Sequence, residues 1–205
     1  ANSSVHPSGE NVTVISSESE QEETIEKWDE LLKTGTKVVI IGNSDAHGQT
    51  YSMGPISRCI FPYEFLYKTV NTHVVTRDKL TGDLHIDKNI IYASLSKGNC
   101  FVGYDLPYPT KGFRFNASTD IKECIMGEEI SLSNGPITLE AHTPARCHLK
   151  IICNGKIIAE KKNATNITHT VYHPNTFRVE ATIMHKLQER CWILSNPIYI
   201  IFVNG

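Results

Sequence analysis

Val38-Val39-Ile40-Ile41-Gly42-Asn43-Ser44-Asp45-Ala46-His47-Gly48 runs from four apolar residues into a polar, glycine-bounded exit. A short continuous apolar run of this kind reads as a strand covered on both faces. Beyond it, Asp45 and His47 stand two residues apart, the spacing that puts two strand side chains on one side. A carboxylate and an imidazole are thereby expected together at a strand's C-terminal edge, where α/β folds place their chemistry. Both groups are ligands for hard or borderline divalent metals. Two ligands do not complete a site, so the remaining donors must be sought elsewhere.

Upstream of the strand, Thr24 is placed to cap a helix whose Ile25, Trp28, Leu31 and Leu32 share one face, with Gly35 closing it. Residues 1–22 are polar, rich in Ser and Glu, and read as a loose tail. Downstream, a Gly- and Ser-rich loop is expected through Gly54, a short helix from Pro62 to Tyr67, and a strand over Val70–Thr76. A turn at Leu80–Asp83 leads to a second helix from about Asp87 to Ser96, stopped by Gly98, and then to a strand at Cys100–Tyr104. This alternation predicts βα units.

After about residue 108 the pattern changes to short strand-like runs. These are Phe113–Asn116, Ile130–Ser133, Ile137–His142, His148–Cys153, Lys156–Ala159, Ile167–Tyr172, Phe177–Ile183 and Ile198–Val203. Turn signals separate them, including Asn134-Gly135-Pro136 and Asn154-Gly155, and the second is a strong hairpin signal. Recurrent short strands argue for a β-sandwich, with Trp192 filling its core. The expected fold class is therefore α+β, with a tail over 1–22, a βα segment over 23–108 and a sandwich over 109–205.

The 205 residues carry a net charge of −2, which supplies no basic excess for nucleic acid. No apolar run is long enough to span a membrane, and the N-terminus shows no signal-peptide core. Secretion, on this reading, implies a chain already processed. Five N-x-S/T sequons, at Asn2, Asn11, Asn116, Asn163 and Asn166, point to a secreted or lysosomal glycoprotein. Six cysteines, at 59, 100, 124, 147, 153 and 191, fit disulfides in such a compartment, and none lies in the spacing of a zinc ribbon. Ser-His-Asp patterning, Gly-x-Ser-x-Gly and Lys-bearing phosphate loops are absent.

Trp28–Leu32 with Gly35, Ser44-Asp45-Ala46-His47-Gly48, Phe61–Glu64, Val70–His73 and Leu80–Asp83 form the first part of an ordered series. Cys100–Val102, Gly112–Phe115, Met126–Glu128, Phe177–Ala181 and Trp192–Tyr199 complete it. The series resembles the PHP (polymerase and histidinol phosphatase) phosphoesterases that carry an immunoglobulin-like sandwich at their C-terminus. The resemblance implies the last part of a distorted βα barrel, 23–108, followed by that sandwich. It also implies metal ligation by Asp45 and His47, in a cluster of two or three zinc, manganese or iron ions. One such metal lowers the pKa of a bound water while its neighbours hold phosphate oxygens.

The family's opening H-x-H motif and its intervening ligands have no counterpart in this chain. An upstream chain of the same precursor, separated by proteolysis in a flexible loop, is the expected partner, and a phosphoester is the expected substrate. Arg58, in the loop after the metal pair, and His73, in a strand beside it, are candidates for the substrate phosphate. The alternative is a non-catalytic secreted module, used for binding or structure, in which Asp45 forms a turn and His47 is merely exposed. The other histidines have no assigned role.

Overall fold

A computed structural model describes residues 11–15, 18–48, 50–59, 62–132 and 135–202, with 11–15, 18–22, 51 and 58 described as backbone alone. Asn2 and the Ser133-Asn134 step of the expected turn lie outside these residues. No helix among them is long and apolar enough to cross a membrane.

The chain opens with β1 (Asn11–Ile15), α1 (Glu18–Lys33) and β2 (Val38–Gly42). β1 pairs with β2 in parallel. Two elements therefore fall inside the stretch expected as a tail: β1, and the first turn of α1. β1 is a short β-branched run, Val12-Thr13-Val14-Ile15, inside a stretch that is polar as a whole, and the edge of β2 is the pairing partner that composition does not reveal. α1 presents Trp28 and Leu32 to Val38 and Ile40 of β2, and the Trp28 indole N–H donates to the Val38 carbonyl at 2.9 Å. β2 is not covered equally on its two faces: Val38, Ile40 and Gly42 are buried, while Val39 and Ile41 are half-buried.

Next come β3 (Thr50–Met53) and β4 (Ile56–Cys59), a small hairpin where a loop was expected, then α2 (Tyr63–Leu66) and β5 (Val70–Val74). α3 (Leu84–Lys97) follows, and its ends are set by local chemistry. The Asp83 carboxylate accepts from the His85 and Ile86 amides, and Gly98 at φ 80° closes the helix in the left-handed region.

The remaining strands are β6 (Cys100–Tyr104), β7 (Arg114–Ser118), β8 (Glu123–Ile125), β9 (Glu129–Ser131) and β10 (Ile137–Cys153). β11 (Lys156–Val171), β12 (Asn175–His185), β13 (Gln188–Ser195) and β14 (Ile198–Ile201) complete the chain. Among the described residues strand predominates, 51% against 17% helix.

This corrects the expected fold class. The architecture is mostly β and not α+β, with a curled, largely antiparallel sheet, and no part of a βα barrel is shown among the described residues. Two pairings explain the difference. First, β5 and β6 flank α3 yet run antiparallel, and β6 then pairs antiparallel with β13. Alternating helix and strand in sequence does not dictate strand direction, and here the C-terminal sheet captures both strands. Second, β10 is a single strand of 17 residues. Its first half pairs with β7 and its second half with β12, so stretches that read as separate strands belong to one sheet. The register of β10 against β11 slips between His142 and Cys147. Such irregularity bends a sheet and increases its twist. Asn154 and Gly155, at φ 52° and 73°, make the two-residue turn into β11, as the Asn-Gly signal predicts.

The main core gathers Phe101, Phe113, Phe115, Leu139, Ile151 and Trp192 inside the curl. Buried polar groups weld α1 and β2 onto it. Asn196 accepts from the Ile40 amide at 2.8 Å and donates to the Ile40 and Cys100 carbonyls at 2.9 Å each. Arg178 of β12 donates twice to the Asp29 carboxylate of α1, at 2.8 and 2.7 Å, with its guanidinium over the Trp28 ring.

Candidate functional site

β2 ends where its backbone comes closest to the sheet. The Gly42 amide donates to the Thr72 hydroxyl at 2.9 Å, and that hydroxyl donates to the Gly42 carbonyl at 2.8 Å. A Cβ on Gly42 would stand 2.4 Å from a Val102 methyl carbon, so only glycine allows this approach. The chain then turns outward. The Asn43 side-chain oxygen accepts from the Asp45 amide at 2.7 Å, a local Asx turn, and Asp45 takes φ 44°, in the left-handed region that Asp tolerates better than most residues.

Asp45 and His47 do come together, by a different route from the one expected. Neither lies in a strand. The turn brings His47 Nδ1 to 2.7 Å from the Asp45 carbonyl and 3.6 Å from its Oδ1. A carbonyl oxygen only accepts, so Nδ1 carries the proton and Nε2 of a neutral ring keeps its lone pair. The Tyr63 hydroxyl donates to the His47 carbonyl at 3.2 Å, holding the loop from the side of α2. Tyr63 also packs against Gly48, which sits at φ 49° and where a Cβ would meet the ring at 2.6 Å. The Asp45 and His47 side chains are 60% and 66% exposed. As donors they suit a divalent ion, but as a set they fall short: among the described residues no group of three or more His, Cys, Asp or Glu side chains is placed to hold a metal.

His73 lies elsewhere. On β5 it alternates with Thr72, whose hydroxyl faces Gly42, so the His73 ring belongs to the other face. There it stacks on Phe101 at 4.8 Å, and its Nε2 lies 2.8 Å from Asp105 Oδ2 and 2.9 Å from the Thr110 hydroxyl oxygen. Asp105 also accepts from the Asn71 side chain and from the Thr110 amide and hydroxyl. Burial pushes its carboxyl pKa up, yet the bonds from His73, Thr110 and Asn71 outweigh burial and hold it well below the usual carboxylate range. This arrangement supports the loop that leaves β6, and the hydroxyl of Thr110 is fully buried. Sequence reading missed Asp105 because Tyr104-Asp105-Leu106-Pro107 carries no motif, and its partners come from β5 and from Thr110 in the loop beyond it.

Arg58 lies in β4 opposite Tyr51, and its side chain is outside the described residues. Of the sequon residues, Asn11 is described only as backbone in β1. Asn116 spends its amide on Glu123 at 2.7 Å, and its carbonyl oxygen is buried with no partner among the described residues. Asn163 and Asn166 are exposed on β11. No disulfide links the described residues, and burial pushes the Cys100 and Cys124 thiols up to about 12. Such thiols remain protonated at neutral pH and are poor nucleophiles and poor ligands.

A cleft of about 980 Å³ opens between α1 and the polar face of the sheet, lined among others by Glu26, Asp29, Lys150, Arg178, Glu180 and Glu189. Its charges are matched internally: Arg178 to Asp29, Lys150 to Glu180 at 3.5 Å, and Glu189 to Thr182 and His148. Five of these six side chains are engaged in these contacts, and Glu26 has no ion pair among the described residues. No protein-family model, curated protein or solved structure matches the chain.

Proposed function

We propose that this chain contributes to a secreted or lysosomal metal-dependent phosphoesterase, with Asp45 and His47 as two metal ligands and the others supplied by an upstream chain of the same precursor. The observation that carries this reading is the His47 ring. Its Nδ1–H is committed to the Asp45 carbonyl, which leaves Nε2 as the ring nitrogen able to ligate, while the Asp45 carboxylate lies 3.6 Å from Nδ1 on the same loop. A divalent metal held there supplies a Lewis acid and an activated water for phosphoester hydrolysis. The chain's own part is to present the two donors on a loop fixed by Asn43 and Tyr63.

The need for a partner is consistent with α3, which buries Ser94 alone while Leu84, Ile86 and Tyr92 are exposed.

The test uses the full-length processed protein, with metal measured by mass spectrometry and hydrolysis of an aryl phosphate followed in the same sample. Asp45→Asn and His47→Ala should each remove bound metal and lower turnover by more than about 100-fold. Metal should also be lost as pH falls, because a protonated imidazole does not ligate. Undiminished metal and turnover in both variants would overturn the reading.

The non-catalytic alternative is favoured by one observation, the missing third ligand among the described residues. On that reading the protein purifies without stoichiometric metal, and both substitutions are silent.

A further inference from the structure

β11 pairs with β10 and with no other strand among the described residues. It is 16 residues long, well beyond the usual strand, and so exposes an extended row of backbone donors and acceptors. Edges of this length template pairing with other chains unless something blocks them. Midway along this edge the register slips. Between the pairs Leu149↔Lys161 and Cys147↔Ala164, β11 holds one more residue than β10. Asn163 occupies that bulge at φ 50°, a left-handed conformation in which Asn is one of the few favoured side chains. Its carbonyl accepts from Arg146 at 2.8 Å, which anchors the backbone. Its side chain is exposed, and its amide has no hydrogen-bond partner among the described residues. Asn163-Ala164-Thr165 is also a sequon.

The Asn116 amide is bound to Glu123, unlike that of Asn163; Asn166 has its side-chain oxygen 3.5 Å from Lys161 and stands in register opposite His142, whereas Asn163 stands in the bulge outside the cross-strand register. We propose that Asn163 carries an N-linked oligosaccharide and that this glycan shields the open edge of β11 from pairing with a second chain. In the modification, the Asn163 side-chain nitrogen displaces the diphosphate of a lipid-linked oligosaccharide donor. An N–C bond forms to the anomeric carbon, the C–O bond to the diphosphate breaks, the nitrogen loses one proton, and the lipid diphosphate departs. Asn163 is exposed and has no register partner in β10, so the glycan costs no strand pairing. The inference rests on the secretory part of the function proposed above and not on its metal chemistry.

The experiment expresses the full-length protein in a secretory eukaryotic cell and separates medium from cytosol. Enzymatic release of N-glycans in ¹⁸O water converts a glycosylated Asn into ¹⁸O-labelled Asp, which peptide mass spectrometry reads at position 163. The expected result is label at Asn163 in the secreted protein, lost in Thr165→Ala, which destroys the sequon but keeps Asn at the left-handed position. The Thr165→Ala protein should also show a light-scattering mass that rises with concentration, while the glycosylated protein stays constant. Secreted protein with an unlabelled Asn163 overturns the proposal and leaves the secretory route standing. Protein retained in the cytosol overturns both. A Thr165→Ala protein that loses the glycan yet does not associate overturns the shielding role.

Discussion

Asp29 and Arg178 meet through two N–H···O contacts at 2.8 and 2.7 Å, with side chains 10% and 4% exposed. Asp45 and His47, only some sixteen residues further along the chain than Asp29, stand 3.6 Å apart and are more than half exposed. The first pair is saturated. Its guanidinium is forked onto a carboxylate, lies over Trp28 and has Glu180 at 3.5 Å, so its charge is matched within the protein. The second pair is held by backbone contacts, through the Asn43 side chain on the Asp45 amide and the Asp45 carbonyl on the His47 ring. That leaves both side-chain termini free. Charge buried in pairs fastens α1 to the sheet, whereas Asp45 and His47 are held at the surface by backbone contacts.

The largest effect should follow from breaking the buried pair. Asp29→Ala leaves the Arg178 guanidinium uncompensated under α1 and should cost about 3–5 kcal/mol in denaturant unfolding. Asp29→Leu combined with Arg178→Met removes both charges and should recover most of that loss. A single-variant cost within the scatter of surface mutations would show that the joint is not what fastens α1.

An intermediate effect is expected at Asp105, the other satisfied carboxylate. Its pKa in the folded protein is depressed below the unfolded value of about 3.9. The sign follows directly: its contribution is complete above pH of about 4 and is lost as pH falls through the folded pKa. Acid unfolding of Asp105→Asn should therefore have a shallower pH dependence below about pH 4 than the parent protein. Parallel curves would remove Asp105 from the acid response.

The smallest effect on stability belongs to the exposed pair. His47→Ala should change unfolding free energy by less than about 0.5 kcal/mol, as expected for an exposed side chain away from the core. The same variant tests metal retention, so a large loss of stability there would show that the loop is structural and collapse the contrast between the two pairs.

Local signals along the chain were the readable ones. Asp83 and Gly98 bracket α3 through a side-chain cap and a left-handed stop, both decided within a few residues. Asn154-Gly155 makes its turn because two consecutive positive φ values favour those residue types. The proximity of Asp45 and His47 was also legible, although the turn after Gly42 brings it about and not the pleat of a strand. Other features were hidden by distance in sequence. The contacts of Asn196 with Ile40, and of Arg178 with Asp29, span 156 and 149 positions. His73 gave no local sign that its ring would turn to Phe101 and Asp105, because the face of β5 is assigned by the strands beside it.

By itself, the sequence determined what short-range sterics and hydrogen bonding decide: the helix stops, the hairpin turn, the apolar run of β2, and the pairing of a carboxylate with an imidazole two residues later. The tertiary structure alone decided that β5 and β6 join the C-terminal sheet and that β10 runs unbroken through it. It also decided that the edge of β11 is left open around Asn163. Strand direction and neighbour are chosen by which distant backbone edge and apolar face are available for pairing, and no periodicity within a single segment carries that information.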